Sequence, residues 1–255
     1  MFTIKFQFFK EWKFWYKFII ATLIFVAVFY QFIYQLVNPD IIFKQDNDKN
    51  FYSQYDYSSL VVHYFSFFTT QSNMLVCGWL FYSAFNHDKE GKKKLLNINF
   101  SVAVATYISV TSLIFNFMLL PVEMFKEHSD PKYPGNWSFS NWTCSEILHT
   151  IGPIATVVYI LLFMNFENHC LSTKLYLKKQ FPKILVYPLI YGIYILIRNE
   201  IRVASNKPRV TNTPYFFMDV RQNIIWFFLS LMIIVFILIS FSILYNFVIK
   251  KRLNK

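Results

Sequence analysis

The feature that most constrains this chain is a series of apolar runs, each near the roughly 20 residues that cross a bilayer as a helix. We read six, at about 14–36, 60–85, 98–120, 144–165, 183–198 and 223–249. The fifth is the shortest. Lipid offers the backbone no hydrogen-bond partners, so such segments satisfy their own amides and carbonyls by forming helices. No fixed-period repeat and no linker divides the 255 residues. The expectation is therefore an all-α polytopic membrane protein: one domain over 1–255, a bundle of six transmembrane helices. The first run is too long for a signal-peptide core and no small-residue cleavage site follows it, which predicts a retained first span.

Charge placement sets the expected orientation. With the N-terminus inside, segments 1–17, 87–94, 166–183 and 250–255 hold sixteen of the twenty-five Lys and Arg residues. That is the positive-inside bias, and it predicts a plasma-membrane protein with both termini cytoplasmic. "DKEGKKK" and the final "KKRLNK" then read as topology anchors against anionic headgroups. The net charge of +11 follows from this placement and not from nucleic-acid binding. The expected partners are the bilayer and a lipid-like substrate, with no nucleic acid and no cofactor; oligomeric state is not legible. Cys77, Cys144 and Cys170 have neither metal-ligand spacing nor the even number of a disulfide framework. A single aromatic residue in so aromatic a chain reads first as lipid-facing or packing surface. The tetrad "YFFM" at 215–218 reads equally as an interfacial belt or as a loop dipping into the bundle mouth.

Polar groups within spans are costly and are the functional candidates by default. Span two carries Thr69, Thr70, Gln71, Ser72 and Asn73 together, with Thr69, Ser72 and Asn73 on one face at i, i+3, i+4. Span four begins "TCSEILHTIGPI". Thr143 and Glu146 have capping-box spacing and are expected to start that helix. Counting from there puts His149 about 9 Å into span four, while Thr69 lies about 13 Å into span two. Pro153 has no N–H for the His149 carbonyl, so the backbone there needs another donor, and Gly152 loosens it further. Asn116 falls near the same level of span three. Tyr187, Tyr191, Tyr194 and Arg198 follow one face of span five at i, i+4, i+7 and i+11. Together these residues outline a polar pocket opening outwards, with no equivalent collection in the inner half.

Three uses of that pocket are open. A threonine hydroxyl becomes a nucleophile when an adjacent base takes its proton, and histidine is the commonest such base. The same groups also suit ordinary interhelical hydrogen bonding, in a small transporter, a lipid- or solute-binding protein or a structural component. Glu146 and His149 at i, i+3 resemble helical metal ligands, but two ligands are too few for a site.

Several motifs occur in a suggestive order: "YFSFFTTQSNML" in span two, "ILHTIGPI" in span four, "YPLIYGIY" in span five and "TPYFFMDV" before span six. The set resembles the androgen-induced and androgen-dependent, TFPI-regulating family of six-span membrane proteins, and more closely its bacterial relatives. The resemblance implies an intramembrane threonine hydrolase. Animal members cleave fatty-acid esters of hydroxy fatty acids and need one intramembrane threonine and one histidine. Carried onto this chain, these are Thr69 and His149, with Thr70 selected by a register shift of one. The proline follows the histidine by four residues here, where the family pattern implies five. The implied function is a lipid ester hydrolase or acyl-transfer enzyme. Thr69 would be its nucleophile and His149 its base, with Ser72, Asn73 or Asn116 stabilising an oxyanion. Tyr191, Tyr194 and Arg198 would line the pocket or bind a lipid carboxylate or headgroup.

Overall fold

The computed structural model describes residues 9–44, 54–127, 133–166 and 172–254; Cys170 lies outside them. Seven principal helices follow in chain order: α1 (Trp12–Val37), α2 (Tyr57–Ser66), α3 (Phe68–Phe85), α4 (Ile98–Met124), α5 (Phe139–Phe163), α6 (Thr173–Ala204) and α7 (Ile224–Leu253). There is no β-strand among the described residues. Five of the helices, α1 and α4 to α7, are long and apolar enough to cross a membrane.

The apolar residues divide between two surroundings. In α4, 50% of the most apolar stretch is buried, against 11% in α7. Helix α4 is therefore central and α7 peripheral. Met232, Phe236 and Phe247 of α7 are exposed, as are Val26 and Ile33 of α1. Such continuous apolar surface suits lipid. The buried seams carry small and β-branched residues, such as Ala21, Ile24 and Ala27 of α1 and Val102, Ala105 and Ile108 of α4.

Polar side chains tie the seams by donating to carbonyls of neighbouring helices. Tyr64 donates to Val28 O at 2.6 Å and Tyr16 to Ala155 O at 3.0 Å. Pro188 sits inside α6 and leaves the Ile184 carbonyl without its helical donor. The Tyr107 hydroxyl of α4 supplies one at 2.7 Å. Such exchanges let a proline persist where water is absent.

The start of α1 and the end of α7 meet at one end of the bundle. Lys13 donates to Phe163 O at 2.6 Å, and Arg252 donates to Leu161 O at 2.7 Å. At this terminal end Glu90 of "DKEGKKK" is only 4% exposed, while Lys89, Lys92 and Lys94 beside it are exposed. Gly91 turns the chain with φ 78°, and Glu90 enters the bundle. Its Oε1 accepts from Lys17 Nζ at 2.5 Å, Tyr159 OH at 2.5 Å and Ser83 Oγ at 3.2 Å; its Oε2 accepts from Asn165 N at 3.2 Å. Lys17 is itself fully buried and also donates to Ser83 O at 2.9 Å. A polar cluster therefore exists at the terminal end as well. Each charge makes several hydrogen bonds, as a buried ion pair needs to persist.

Candidate functional site

The run at 60–85 is not one helix. Phe67 is extended, with φ −70° and ψ 132°, and separates α2 from α3 two residues before Thr69. A break leaves carbonyls at the end of one helix and amides at the start of the next. Several of these groups have found partners on other side chains. Ser66 Oγ donates to His63 O at 2.7 Å, Gln71 Nε2 to Phe65 O at 2.9 Å and Tyr191 OH to Ser66 O at 3.0 Å. On the amide side, Thr69 N donates to the Tyr215 hydroxyl at 3.2 Å. Tyr215 and Phe217 are buried, so the loop before α7 does dip into the bundle. The Thr69 side chain also lies against the Tyr215 hydroxyl.

The face shared by Thr69, Ser72 and Asn73 points into the bundle. Ser72 Oγ is 2.6 Å from Thr111 Oγ1 of α4. Asn73 Nδ2 donates both to Thr69 O at 2.9 Å and to Leu148 O of α5 at 3.1 Å. Thr69 and the residue before His149 therefore share one donor, and the two motifs stand at one level. Asn73 Oδ1 is buried with no hydrogen-bond partner.

Around His149 the helix is locally widened. Ile147–Ile151 forms a π turn, and facing it Phe115–Leu119 of α4 forms another. Such turns recur at functional sites. Gly152 permits the first: a Cβ there would stand 2.6 Å from Ile147 O and 3.1 Å from the Ile24 side chain. The two turns meet at the histidine. Phe115 stacks on the His149 ring at 3.5 Å between centroids, and Asn116 Nδ2 donates to His149 O at 3.1 Å. Asn116 thus serves the carbonyl that Pro153 cannot.

His149 is buried, and its Nδ1 lies 2.9 Å from Ser145 O. A carbonyl only accepts, so the proton is on Nδ1 and the lone pair is on Nε2. That tautomer is the one a general base needs. No hydrogen bond joins Thr69 to His149 among the described residues.

One expectation is corrected. Thr143 and Glu146 do not begin the helix: Ser138 caps it by accepting from Asn141 N, and Thr143 Oγ1 bonds Phe139 O inside it at 2.8 Å. His149 is then about 16 Å from the helix start at 1.5 Å per residue. Tyr194 is 38% exposed, and Ile195 takes the buried position beside it. Asn73 and Asn116 direct their amide nitrogens to main-chain carbonyls, so in this state neither amide is aimed at an oxyanion. Ser72 likewise bonds Thr69 O at 3.1 Å and Thr111. Tyr191 and Arg198 are buried, Tyr191 beside the break and Arg198 farther toward the end away from the termini.

No protein-family model, curated protein or solved structure matches the chain.

Sequence reasoning passed over Phe115, Arg202 and the individual role of Tyr215. Arg202 carried a signal, since it continues the Arg198 stripe at i+4. A cavity of about 320 Å³ opens elsewhere, at the terminal end, lined by Lys13, Asn165, Phe166 and Arg252 among others. Its two cations already bond carbonyls at the end of α5, which makes it a helix cap more than a ligand site.

Proposed function

We propose that the chain is an intramembrane acyl-ester hydrolase or acyl-transfer enzyme working on a lipid-like substrate, with Thr69 as nucleophile and His149 as base. One observation carries the reading: the break at Phe67 sets Thr69 in the first turn of α3. There it is tied through Asn73 to the π turn that holds His149 with Nε2 unprotonated. In the proposed step Thr69 Oγ1 attacks the ester carbonyl and its proton passes to His149 Nε2. The oxyanion is met by the first-turn amide of Thr70 and by the Tyr215 hydroxyl, at the positive end of the α3 dipole. The leaving alkoxide takes the proton back from His149. Water, or an acceptor alcohol, then releases the acyl group from Thr69. The step requires the Thr69 hydroxyl to leave Tyr215 for His149 when substrate enters.

The motif order supports placing the chain with the bacterial relatives of the androgen-induced and androgen-dependent family. We further propose that α2 and α3 together make the sixth crossing, and that the terminal end faces the cytoplasm of a plasma-membrane protein. Lysine and arginine placement supports this orientation. The test is turnover of a medium-chain p-nitrophenyl ester by purified protein, with Thr69→Ala and His149→Ala each expected to abolish it. Equal turnover by both variants would remove the assignment.

A second reading, lipid or solute binding without turnover, is favoured by the absence of a Thr69–His149 bond. It predicts that His149→Ala weakens binding and that no acyl-enzyme forms.

A further inference from the structure

The outer end of α6 buries two arginines one turn apart, Arg198 at 5% and Arg202 at 7% exposure. Arg198 donates to Asn212 O and to His63 Nδ1, the latter at 3.3 Å. Arginine cannot accept a hydrogen bond, so His63 Nδ1 carries no proton and that ring is neutral. Arg202 donates to Ser59 Oγ at 3.2 Å and to Thr211 Oγ1. All of these acceptors are neutral. No carboxylate among the described residues lies within ion-pair distance of either guanidinium.

The nearby carboxylates are engaged elsewhere. Asp56 accepts from Lys207 Nζ at 2.6 Å, Ser59 Oγ at 2.6 Å, Ser58 Oγ at 2.7 Å and Ser59 N at 2.9 Å. Asp219 pairs with Arg209 at 3.6 Å. The two guanidiniums are close enough to repel, and neither can shed its proton. Four buried polar atoms here also have no partner: Nε of Arg198, Nε of Arg202, and Oδ1 of Asn199 and Asn212. Either amide, turned over, would offer a donor instead. Asp56 attracts Arg202 through space, but Ser59 Oγ stands between them. The two buried positive charges, with two open N–H donors, therefore have no anion bonded to them.

We propose that Arg198 and Arg202 form a binding site for one oxyanion group, a carboxylate or a phosphate, at the end of the bundle away from the termini. The site is one layer of side chains from the helix break. His63 packs on Phe67 at 5.0 Å, and Phe67 packs on Tyr215 at 5.5 Å between ring centroids. A single amphiphile can seat its charged end on the arginines and its apolar part along the break. The site does not depend on any chemistry at Thr69.

Thermal unfolding of the protein in an uncharged maltoside detergent tests this. Inorganic phosphate, oleate and phosphatidylglycerol are compared with chloride at matched ionic strength and with uncharged monoolein. An occupied site raises Tm by about 5 °C at saturation. Oleate or phosphatidylglycerol acting at far lower concentration than phosphate identifies a lipid end as the ligand; phosphate acting alone identifies a free anion. Arg198→Gln and Arg202→Gln are each expected to weaken the effect at least about tenfold, while Arg221→Gln on the surface retains it. No shift with any anion, an equal shift with monoolein, or full shifts in both arginine variants overturns the proposal. If those variants fail to fold, the wild-type comparison of anions with chloride and monoolein decides it.

Discussion

Tyr215→Phe isolates the contact that closes the helix break. The substitution keeps the ring, which stacks on Phe217 at 5.2 Å and meets Phe67 edge-on at 5.5 Å, and removes only the hydroxyl. Thr69 N then loses the acceptor that stands 3.2 Å away. As a first-turn amide it has no acceptor within its own helix. Leaving a buried donor unbonded costs about 1–3 kcal/mol. If that cost falls on local opening, the first turn of α3 opens roughly 5- to 150-fold more often, taking 1.4 kcal/mol per factor of ten. Amide hydrogen exchange read by mass spectrometry on peptides covering 66–72 measures it. Faster exchange is expected there, with peptides around Ser83 and Glu90 unchanged. Unchanged exchange in 66–72, or the same acceleration across the whole chain, would refute the view that Tyr215 caps the break.

The terminal-end cluster makes a contrasting prediction. Lys17→Met leaves the Glu90 carboxylate buried without its cation and is expected to cost about 3–5 kcal/mol in detergent or proteolytic stability. Lys17→Met combined with Glu90→Gln should cost less than Lys17→Met alone; a larger loss would contradict the ion-pair account. At the opposite end, burial alone would raise the Asp56 pKa, but the bonds from Lys207, Ser59 and Ser58 outweigh it and hold the carboxyl well below its usual range. A depressed carboxylate pKa stabilises the fold above the unfolded value and loses that contribution as pH falls through the folded value. The Asp56–Lys207 link should therefore hold at pH 4. Loss of wild-type stability near pH 4 that Asp56→Asn abolishes would contradict it.

The apolar runs were legible because lipid makes hydropathy decisive, and five of the six stand as single helices. The break at Phe67 was not legible. Its sequence has neither proline nor glycine, and the groups that make it tolerable, Tyr191 and Tyr215, come from more than a hundred residues away. By contrast, Pro153 announced a carbonyl in need of a donor, and Asn116 answers it. The burial of Glu90 was not legible because a short charged loop reads as solvated; only the turn at Gly91 and the waiting Lys17 bury it. The stripe on α6 was legible as one helical face, which buries Tyr191 and Arg198 and leaves Tyr194 at its edge.

The central claim is that Thr69 is a nucleophile served by His149. It is tested most directly by treating the purified protein with a fluorophosphonate probe and mapping the adduct by tandem mass spectrometry. The account predicts one phosphonylated residue, Thr69, with labelling lost in Thr69→Ala and strongly reduced in His149→Ala. An adduct on Thr70 or elsewhere, or labelling that persists in Thr69→Ala, would contradict it.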